Sequence, residues 1–188
     1  MLESIVKLDK EAFVFLNGLG SPDFDPLWLF ITNQKNWIPV FCFMAYLIWK
    51  KSTPKTFLYL IVFLAFLLLI TDQCANLVKW WVERIRPCND AELKGIIRIV
   101  KSSDSFSFFS GHAANSMAST TFIYLLLRKH YKGMWLYFLF PLIFAYSRIY
   151  LGLHFPIDIL AGFIFGGTTG FVMYRWYSRF ILLQRWSN

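Results

Sequence analysis

The apolar run at residues 57–71 constrains the fold more than any other feature, because it contains no charged side chain. A helix-compatible pattern continues from this run to Val82, and residues 57–82 would span about 39 Å as an α-helix. The hydrocarbon core of a bilayer is about 30 Å thick, so such a helix crosses it and places its polar end among the headgroups. The segment therefore predicts a membrane span.

The composition of the whole chain supports a membrane location. Of its 188 residues, 57% are hydrophobic and 16% are charged, whereas soluble proteins average about 45–50% and about 25%. A chain of this composition is neither disordered nor fibrous, and it has more apolar surface than one soluble core could hide. Its length predicts a single domain covering residues 1–188.

Further apolar segments predict the rest of a bundle. The predicted spans are residues 37–49, 57–82, 113–127, 134–149 and 157–174. Residues 4–16 place apolar side chains opposite charged ones at helical spacing, which is typical of an amphipathic helix that lies on the membrane or crosses it. The predicted fold class is an all-α, polytopic membrane helix bundle of five to six transmembrane helices with this N-terminal amphipathic helix.

Glycines at four-residue steps mark the last predicted span, at Gly162, Gly166 and Gly170. Small residues allow helices to approach closely in lipid. These positions therefore predict tight packing against a neighbouring helix, with a hinge as the alternative.

The basic residues predict the orientation of the chain. The loops 50–55 and 128–132 and the C-terminal segment 175–188 contain Lys and Arg but no Asp or Glu. By the positive-inside rule these segments are cytoplasmic. The loop 84–109 and the turn 150–156 then face the periplasm from the inner (cytoplasmic) membrane. Because this placement explains the net charge of +8, no nucleic-acid partner is expected.

The outward-facing ends of the spans hold an unusual set of polar residues. These are Lys79, Arg84 and Arg86 after the second span, Ser110, Gly111 and His112 before the third, and Arg148, His154 and Asp158 between the fourth and fifth. With Lys79, Arg86 and Arg148 as cations and Asp158 as an anion, the charge is 3 − 1 = +2. A phosphate monoester carries about −1.5 to −2 near neutral pH, and arginine forks suit its oxygens. The cluster favours a phosphoryl ligand.

Spacing within the cluster indicates roles for its members. Ser110 and Gly111 stand where a helix would begin, and free backbone N–H groups there can hold an anion. Asp158 follows His154 by four positions, which allows a carboxylate to orient an imidazole that acts as nucleophile or base. His112 is a separate acid or base candidate for the leaving oxygen.

Each residue taken alone has a simpler interpretation. Ser110 can be an ordinary helix N-cap, Asp158 can cap the last helix, and either histidine can be solvated. Two histidines with Asp158 could also bind a metal, although the neighbouring cations would repel it. For Arg84 the default is an ion pair or a headgroup contact.

The segments 79–87, 110–112 and 147–158 resemble the three signature motifs of the type 2 phosphatidic acid phosphatase superfamily. They read KWWVERIRP, SGH and SRIYLGLHFPID, in the family's order and with its internal spacing. One departure is Phe109, where the family usually has a proline, and the loss of a proline lowers the rigidity of a loop.

The resemblance implies a membrane lipid phosphatase that uses no metal and no other cofactor. His154 would attack phosphorus while Asp158 holds its ring, and His112 would protonate the leaving oxygen and later activate water. The phosphate would be bound by Lys79, Arg86, Ser110, Gly111 and Arg148. The expected partners are the lipid bilayer and a membrane lipid phosphate.

Bacterial membrane members of the family hydrolyse undecaprenyl diphosphate, phosphatidylglycerol phosphate or phosphatidate. The loop 84–109 is too short for a separate lid over a large headgroup, and an outward site suits recycling of the polyprenyl carrier. The expected reaction is therefore hydrolysis of undecaprenyl diphosphate to undecaprenyl phosphate, with the other two lipids as alternatives. Rivals from other classes are a catalytically silent lipid-binding or transport protein and a soluble vanadium-dependent haloperoxidase, against which the apolar spans argue.

Overall fold

The computed structural model describes the backbone of residues 2–186 and the side chains of residues 3–183, and this part of the chain contains helices and no strand. The α-helices are α1 (Leu2–Gly18), α2 (Asp25–Thr32), α3 (Ile38–Trp49), α4 (Pro54–Val82), α5 (Gly111–Leu127), α6 (Leu139–Tyr150) and α7 (Pro156–Trp186). Each of the five predicted spans overlaps one of the helices α3 to α7. The all-helical part of the predicted fold class is therefore confirmed.

Three differences from the predicted elements exceed three residues. Helix α2 is not among the predicted elements, and it begins with a proline in its first turn, where the fixed φ angle favours a helix. Helix α7 continues beyond residue 174 because neither Gly nor Pro follows Gly170. The fourth predicted span starts as a 3-10 turn over Met134–Phe138, which delays the start of α6.

Within the described residues, two segments are long and apolar enough to cross a membrane, Pro54–Leu93 and Pro156–Leu183, and Met134–Tyr150 is a shorter apolar helix. Only 17% and 33% of the apolar windows in the two long segments are buried inside the protein, and near the end of α4 both Trp80 and Trp81 are exposed. Contiguous exposed apolar surface of this kind is expected of a membrane protein. The number of membrane-crossing helices and the amphipathic role of residues 4–16 stay predictions.

Helix α5 lies at the centre of the bundle and packs most extensively against α7. A Cβ atom on Gly162, Gly166 or Gly170 would lie 2.7, 2.2 or 2.4 Å from the backbone oxygens of Ser110, Ala114 and Ala118, respectively. No side chain fits at these separations, so the predicted packing role of the glycines is confirmed. Because the contacts advance by four residues on both helices, α5 and α7 run parallel and begin at the same end.

The loop 84–109 and the turn between α6 and α7 meet at this end. The Cys88 N–H donates to the Gly152 carbonyl (3.0 Å), and the Lys101 N–H donates to the Leu151 carbonyl (3.2 Å). Gly152 has a φ angle of +86°, which glycine adopts without steric cost. The two segments predicted to share one side of the membrane therefore lie together.

Helix α1 packs against the same end through a partly polar face that its hydropathy pattern does not predict. Its apolar residues Ile5, Leu8 and Phe15 are exposed, whereas Asp9 and Asn17 are buried. The Asn17 side chain bonds to backbone groups of the 84–109 loop and of α6. The burial of these two polar residues indicates that α1 docks through hydrogen bonds as well as apolar contact.

Replacing Gly166 by alanine is expected to lower the free energy of unfolding by about 1–3 kcal/mol, because overpacking forces the two backbones apart. The matched control is Gly167→Ala, whose Cβ would meet nothing closer than the Met117 Cγ at 3.8 Å. That control should be neutral or more stable by up to about 1 kcal/mol, since alanine has the higher helix propensity. Thermal unfolding in detergent micelles measures both. Equal melting temperatures of the Gly166→Ala and Gly167→Ala variants would contradict the packing role of Gly166.

Candidate active site

The start of α5 forms one wall of the candidate site. Ser110 is the N-cap of this helix, and its hydroxyl accepts a hydrogen bond from the Ala113 N–H (3.4 Å). The Ser110 N–H donates to the backbone carbonyl of Asp158 (3.0 Å), which holds the cap beside the first turn of α7. The Lys79 ammonium lies 3.7 Å from the position that a Cβ on Gly111 would occupy. The free N–H groups of the first turn and this ammonium can together bind an anion.

Arg86 holds the loop that carries His154. Its guanidinium donates to the carbonyl oxygens of Ser105 (2.7 Å) and Leu153 (2.9 Å) and to the Ser105 hydroxyl (2.9 Å). Arg86 Nη1 also lies 3.1 Å from Nε2 of His154. Because a guanidinium only donates, Nε2 accepts in this contact and the neutral ring carries its proton on Nδ1. The lone pair of His154 is therefore on Nε2.

The other ring nitrogen of His154 faces Asp158. Nδ1 lies 3.6 Å from Oδ2 of Asp158 and 3.4 Å from the hydroxyl of Ser107. Ser107 donates to the same Oδ2, which also accepts from the Phe155 N–H (2.8 Å). Asp158 thus caps the start of α7 and faces the imidazole at the same time.

Arg148 lies in the last turn of α6 and is buried. Its Nη1 donates to the hydroxyl of Thr32 in α2 (2.6 Å), whereas its Nε has no hydrogen-bond partner in the described part of the chain. A buried N–H group without a partner is costly unless a ligand accepts from it. The Arg148 guanidinium therefore has a donor to offer to a phosphate oxygen.

His112 is placed differently from the other predicted residues. The hydrogen bonds and ion pairs that join those residues within residues 3–183 do not include its ring, which lies 5.5 Å from the ring of Phe144. His112 lines an apolar cavity of 350 Å³ between α3, α4, α5 and α6, with Trp37 and Leu64 among its walls. Because Gly111 precedes it directly, His112 connects the polar end of α5 with this apolar space.

Three residues that sequence reasoning did not identify contact the predicted site. Asp9, Thr32 and Ser107 contact Arg84, Arg148 and the His154–Asp158 pair, respectively. Ser107 lies just before the second motif, and a hydroxyl so close to that motif was a usable signal. The other two belong to α1 and α2, where no local pattern links them to the motifs.

Two residues with open interpretations are now placed. Arg84 forms ion pairs with Asp9 and Asp158, both at 2.6 Å, as the ion-pair alternative predicts. Phe109 is buried against Phe165, with the ring centroids 5.0 Å apart. Among the side chains that the structure describes, no group of three His, Cys, Asp or Glu could hold a metal ion.

Burial lowers the pKa of His154 to about 4, because transfer out of water destabilises the imidazolium form. The folded protein therefore keeps this ring neutral near pH 7. A neutral imidazole with its lone pair on Nε2 is a competent nucleophile.

The helical fold and the polar residues at one end of the bundle agree with a class of proteins, the phosphatases that act on membrane lipids. The sequence pattern of the PAP2 superfamily matches residues 56–182, a range that contains all three motifs. The chain belongs to the PAP2 superfamily, so the resemblance that the motifs indicated is confirmed.

Relatives within this family match nearly the whole chain. The lipid A 4'-phosphatase of Bacteroides thetaiotaomicron is 32% identical over 178 residues, which are 93% of this chain and 79% of that protein. The undecaprenyl-diphosphatase of Sulfolobus acidocaldarius is 28% identical over 174 residues, which are 90% and 79% of the two chains. The crystal structure of the transmembrane PAP2-type phosphatidylglycerolphosphate phosphatase from Bacillus subtilis has a TM-score of 0.71 at 21% identity, covering 94% of this chain and 87% of that one. That likeness shows the fold.

The lowered pKa of His154 predicts that acid destabilises the protein. The unfolded chain protonates this ring below a pH of about 6.5, whereas the folded protein resists protonation until a pH of about 4. The contribution of the neutral His154 ring to the free energy of unfolding is intact above a pH of about 6.5. As the pH falls from 7 to 5, this contribution decreases by roughly 2 kcal/mol. Thermal unfolding at both pH values should show a smaller drop for His154→Gln than for the wild type. Parallel pH dependence of the two proteins would contradict the lowered pKa.

Proposed function

We propose that this protein hydrolyses the phosphate of a membrane lipid through a phosphohistidine formed on His154. The observation that carries the proposal is the environment of this buried imidazole. Arg86 lies 3.1 Å from the unprotonated Nε2, and Asp158 faces Nδ1 at 3.6 Å. One nitrogen is thereby unprotonated and carries the lone pair that attacks, while a carboxylate stabilises the positive charge that the ring gains.

The reaction has two steps. Nε2 of His154 bonds to phosphorus as the bond to the lipid-side oxygen breaks, and that oxygen takes a proton from His112. Water then attacks phosphorus, His112 accepts a proton from the water, and the P–N bond breaks to release inorganic phosphate. His112 suits the acid and base role because it adjoins the apolar cavity, where the lipid portion of the substrate can lie.

Fixed positive charge stabilises the phosphoryl oxygens in both steps. Lys79, Arg86 and Arg148 supply the cations, Gly111 supplies a first-turn N–H group of α5, and Ser110 supplies its hydroxyl. The guanidinium groups of Arg86 and Arg148 are held by protein oxygens before the substrate binds. Preorganised cations of this kind perform the charge stabilisation that bound metal ions provide in other phosphoryl-transfer enzymes.

For the substrate, we favour a lipid A 4'-phosphate over undecaprenyl diphosphate, the lipid expected from the sequence. The relative that acts on lipid A is 32% identical over 93% of this chain, against 28% over 90% for the undecaprenyl-diphosphatase. Both lipids place a phosphate at headgroup depth and their chains in the bilayer, so the same site chemistry serves either. We infer that the site faces the periplasm from the inner membrane, because the positive-inside rule favours a cytoplasmic side for the basic loops at 50–55 and 128–132.

Phosphate release in detergent micelles with excess EDTA tests this function. The substrates are lipid A with a 4'-phosphate, undecaprenyl diphosphate, phosphatidate and phosphatidylglycerol phosphate. We expect the fastest release from lipid A, and a loss of at least about 10³-fold in His154→Ala because the nucleophile is removed. The matched control is His130→Ala, since His130 is exposed in the turn after α5 and its loss should leave the rate unchanged.

Each outcome of this assay bears on the proposal. Faster release from undecaprenyl diphosphate would reverse the substrate preference and keep the mechanism. Turnover retained in His154→Ala would contradict the phosphohistidine. No release from any of the four lipids would favour the catalytically silent lipid-binding protein.

Filling the apolar cavity should weaken binding of the lipid substrate. Ala45 lines the cavity from α3, and Ala45→Trp is expected to raise KM for the lipid about tenfold, which is about 1.4 kcal/mol of binding. KM for a short-chain, water-soluble phosphate ester should not change. Phe43→Trp is the control, because Phe43 is exposed on the same helix. Equal effects on the long-chain and short-chain substrates would contradict a lipid-binding cavity.

A further inference from the structure

Arg84 joins two buried carboxylates that belong to distant parts of the chain. Its Nη1 lies 2.6 Å from Oδ1 of Asp158, and its Nη2 lies 2.6 Å from Oδ2 of Asp9. Both carboxylates have no exposed side-chain surface, and the guanidinium stacks 4.1 Å above the ring of Phe155. The arrangement holds the guanidinium on three sides, next to the residue that precedes α7.

We propose that Asp9 and Arg84 are positioning residues for the His154–Asp158 pair, a role that rests on the proposed phosphohistidine chemistry. Neither residue contacts the ring of His154; both act through Asp158. The match to the PAP2 superfamily begins at residue 56, so Asp9 lies outside the matched region and α1 adds a part of its own to the site.

The charges explain why two residues are needed rather than one. With Arg84 alone beside Asp158, the positive guanidinium would cancel the negative charge of the carboxylate, and the net charge next to the His154 ring would be zero. Asp9 adds a second negative charge, so the sum over Asp9, Arg84 and Asp158 is −2 + 1 = −1. The ring becomes positive when Nε2 bonds to phosphorus, and a net negative neighbour lowers the energy of that state.

The geometry also fixes the direction of the Asp158 carboxylate. Oδ1 is held by Arg84, while Oδ2 accepts from Ser107 and Phe155 and faces His154. The backbone of Arg84 contributes as well, because its carbonyl accepts from the Ser107 N–H (2.8 Å). Rotation of the carboxylate away from the ring would break several of these contacts at once.

Helix α1 holds its end of the network against α7. Asp9 Oδ1 accepts from the N–H of Ile157 in the first turn of α7 (2.9 Å). One turn later on α1, the ring of Phe13 packs edge-on against Phe155, with the centroids 5.3 Å apart. Asp9 and Phe13 therefore hold both sides of the segment that places His154 and Asp158.

Asp9→Asn tests the proposal, because it removes the charge and keeps the shape and the acceptor oxygen. We expect kcat per folded protein to fall about 10- to 100-fold with KM nearly unchanged, since a displaced catalytic group slows chemistry rather than binding. Rapid-quench measurement should locate the loss in phosphohistidine formation. Glu11→Gln is the matched control, an equal charge change on an exposed residue of the same helix, and it should retain the wild-type kcat.

Arg84→Lys provides the second variant, because one ammonium replaces the fork that reaches both carboxylates. It should lower kcat to a similar degree, and the double variant with Asp9→Asn should lose no more than the larger single loss if the two residues act as one unit. This variant keeps the proposal testable should Asp9→Asn fail to fold.

The outcomes separate this proposal from the proposed function. In one outcome, the wild type turns over substrate in a way that His154→Ala abolishes, while Asp9→Asn or Arg84→Lys keeps the wild-type kcat. That result would overturn the positioning role alone. Additive losses, or a rise in KM with kcat unchanged, would also overturn it. Absence of His154-dependent turnover in the wild type would overturn the function itself, and the positioning role with it.

Discussion

A fully buried carboxylate, that of Asp158, is the group on which the rest of the site depends. A buried anion is stable only when paired and hydrogen-bonded, and Asp158 meets this requirement with partners from separate segments. Arg84 follows α4, Ser107 precedes α5, and Phe155 precedes α7. Satisfying one charge therefore brings together the ends of three helices, and the imidazole of His154 is placed as a consequence.

The close approach of α5 and α7 makes this arrangement possible. Glycines on α7 contact backbone oxygens of α5, so the parallel helices begin side by side. The Ser110 N–H then donates to the Asp158 carbonyl, which places the N-terminus of α5 beside the turn between α6 and α7 that carries His154. Helix packing in an apolar bundle and the proposed anion binding at its polar end thus depend on the same contact.

The N-terminal segment contributes to the site as well as to the surface of the bundle. Thr32 in α2 holds Arg148, and Asp9 in α1 holds Arg84. Thr32 and Asp9 precede the region matched by the superfamily, whereas the lipid A 4'-phosphatase of Bacteroides thetaiotaomicron and the undecaprenyl-diphosphatase of Sulfolobus acidocaldarius align over 90% or more of the chain. A long-range network of this kind fixes the cations and the carboxylate in the folded protein, which would lower the reorganisation that the proposed phosphoryl transfer requires.

The helical character of five apolar segments can be predicted from the sequence, because hydropathy and segment length restrict what an apolar run can do in a bilayer. The sequence also indicates the candidate residues from Lys79 to Asp158, since motif spacing and helix ends are local properties of a chain. The contacts that Asp9, Thr32 and Ser107 make with these residues arise from the packing of the folded chain. The contacts of Asp9 and Thr32 join positions far apart in the chain, and the face that α1 turns to the bundle depends on which carbonyls and charges it meets there. Such pairings produce no periodic pattern in the sequence, because hydropathy does not distinguish a buried polar side chain from an exposed one when its partner is unknown.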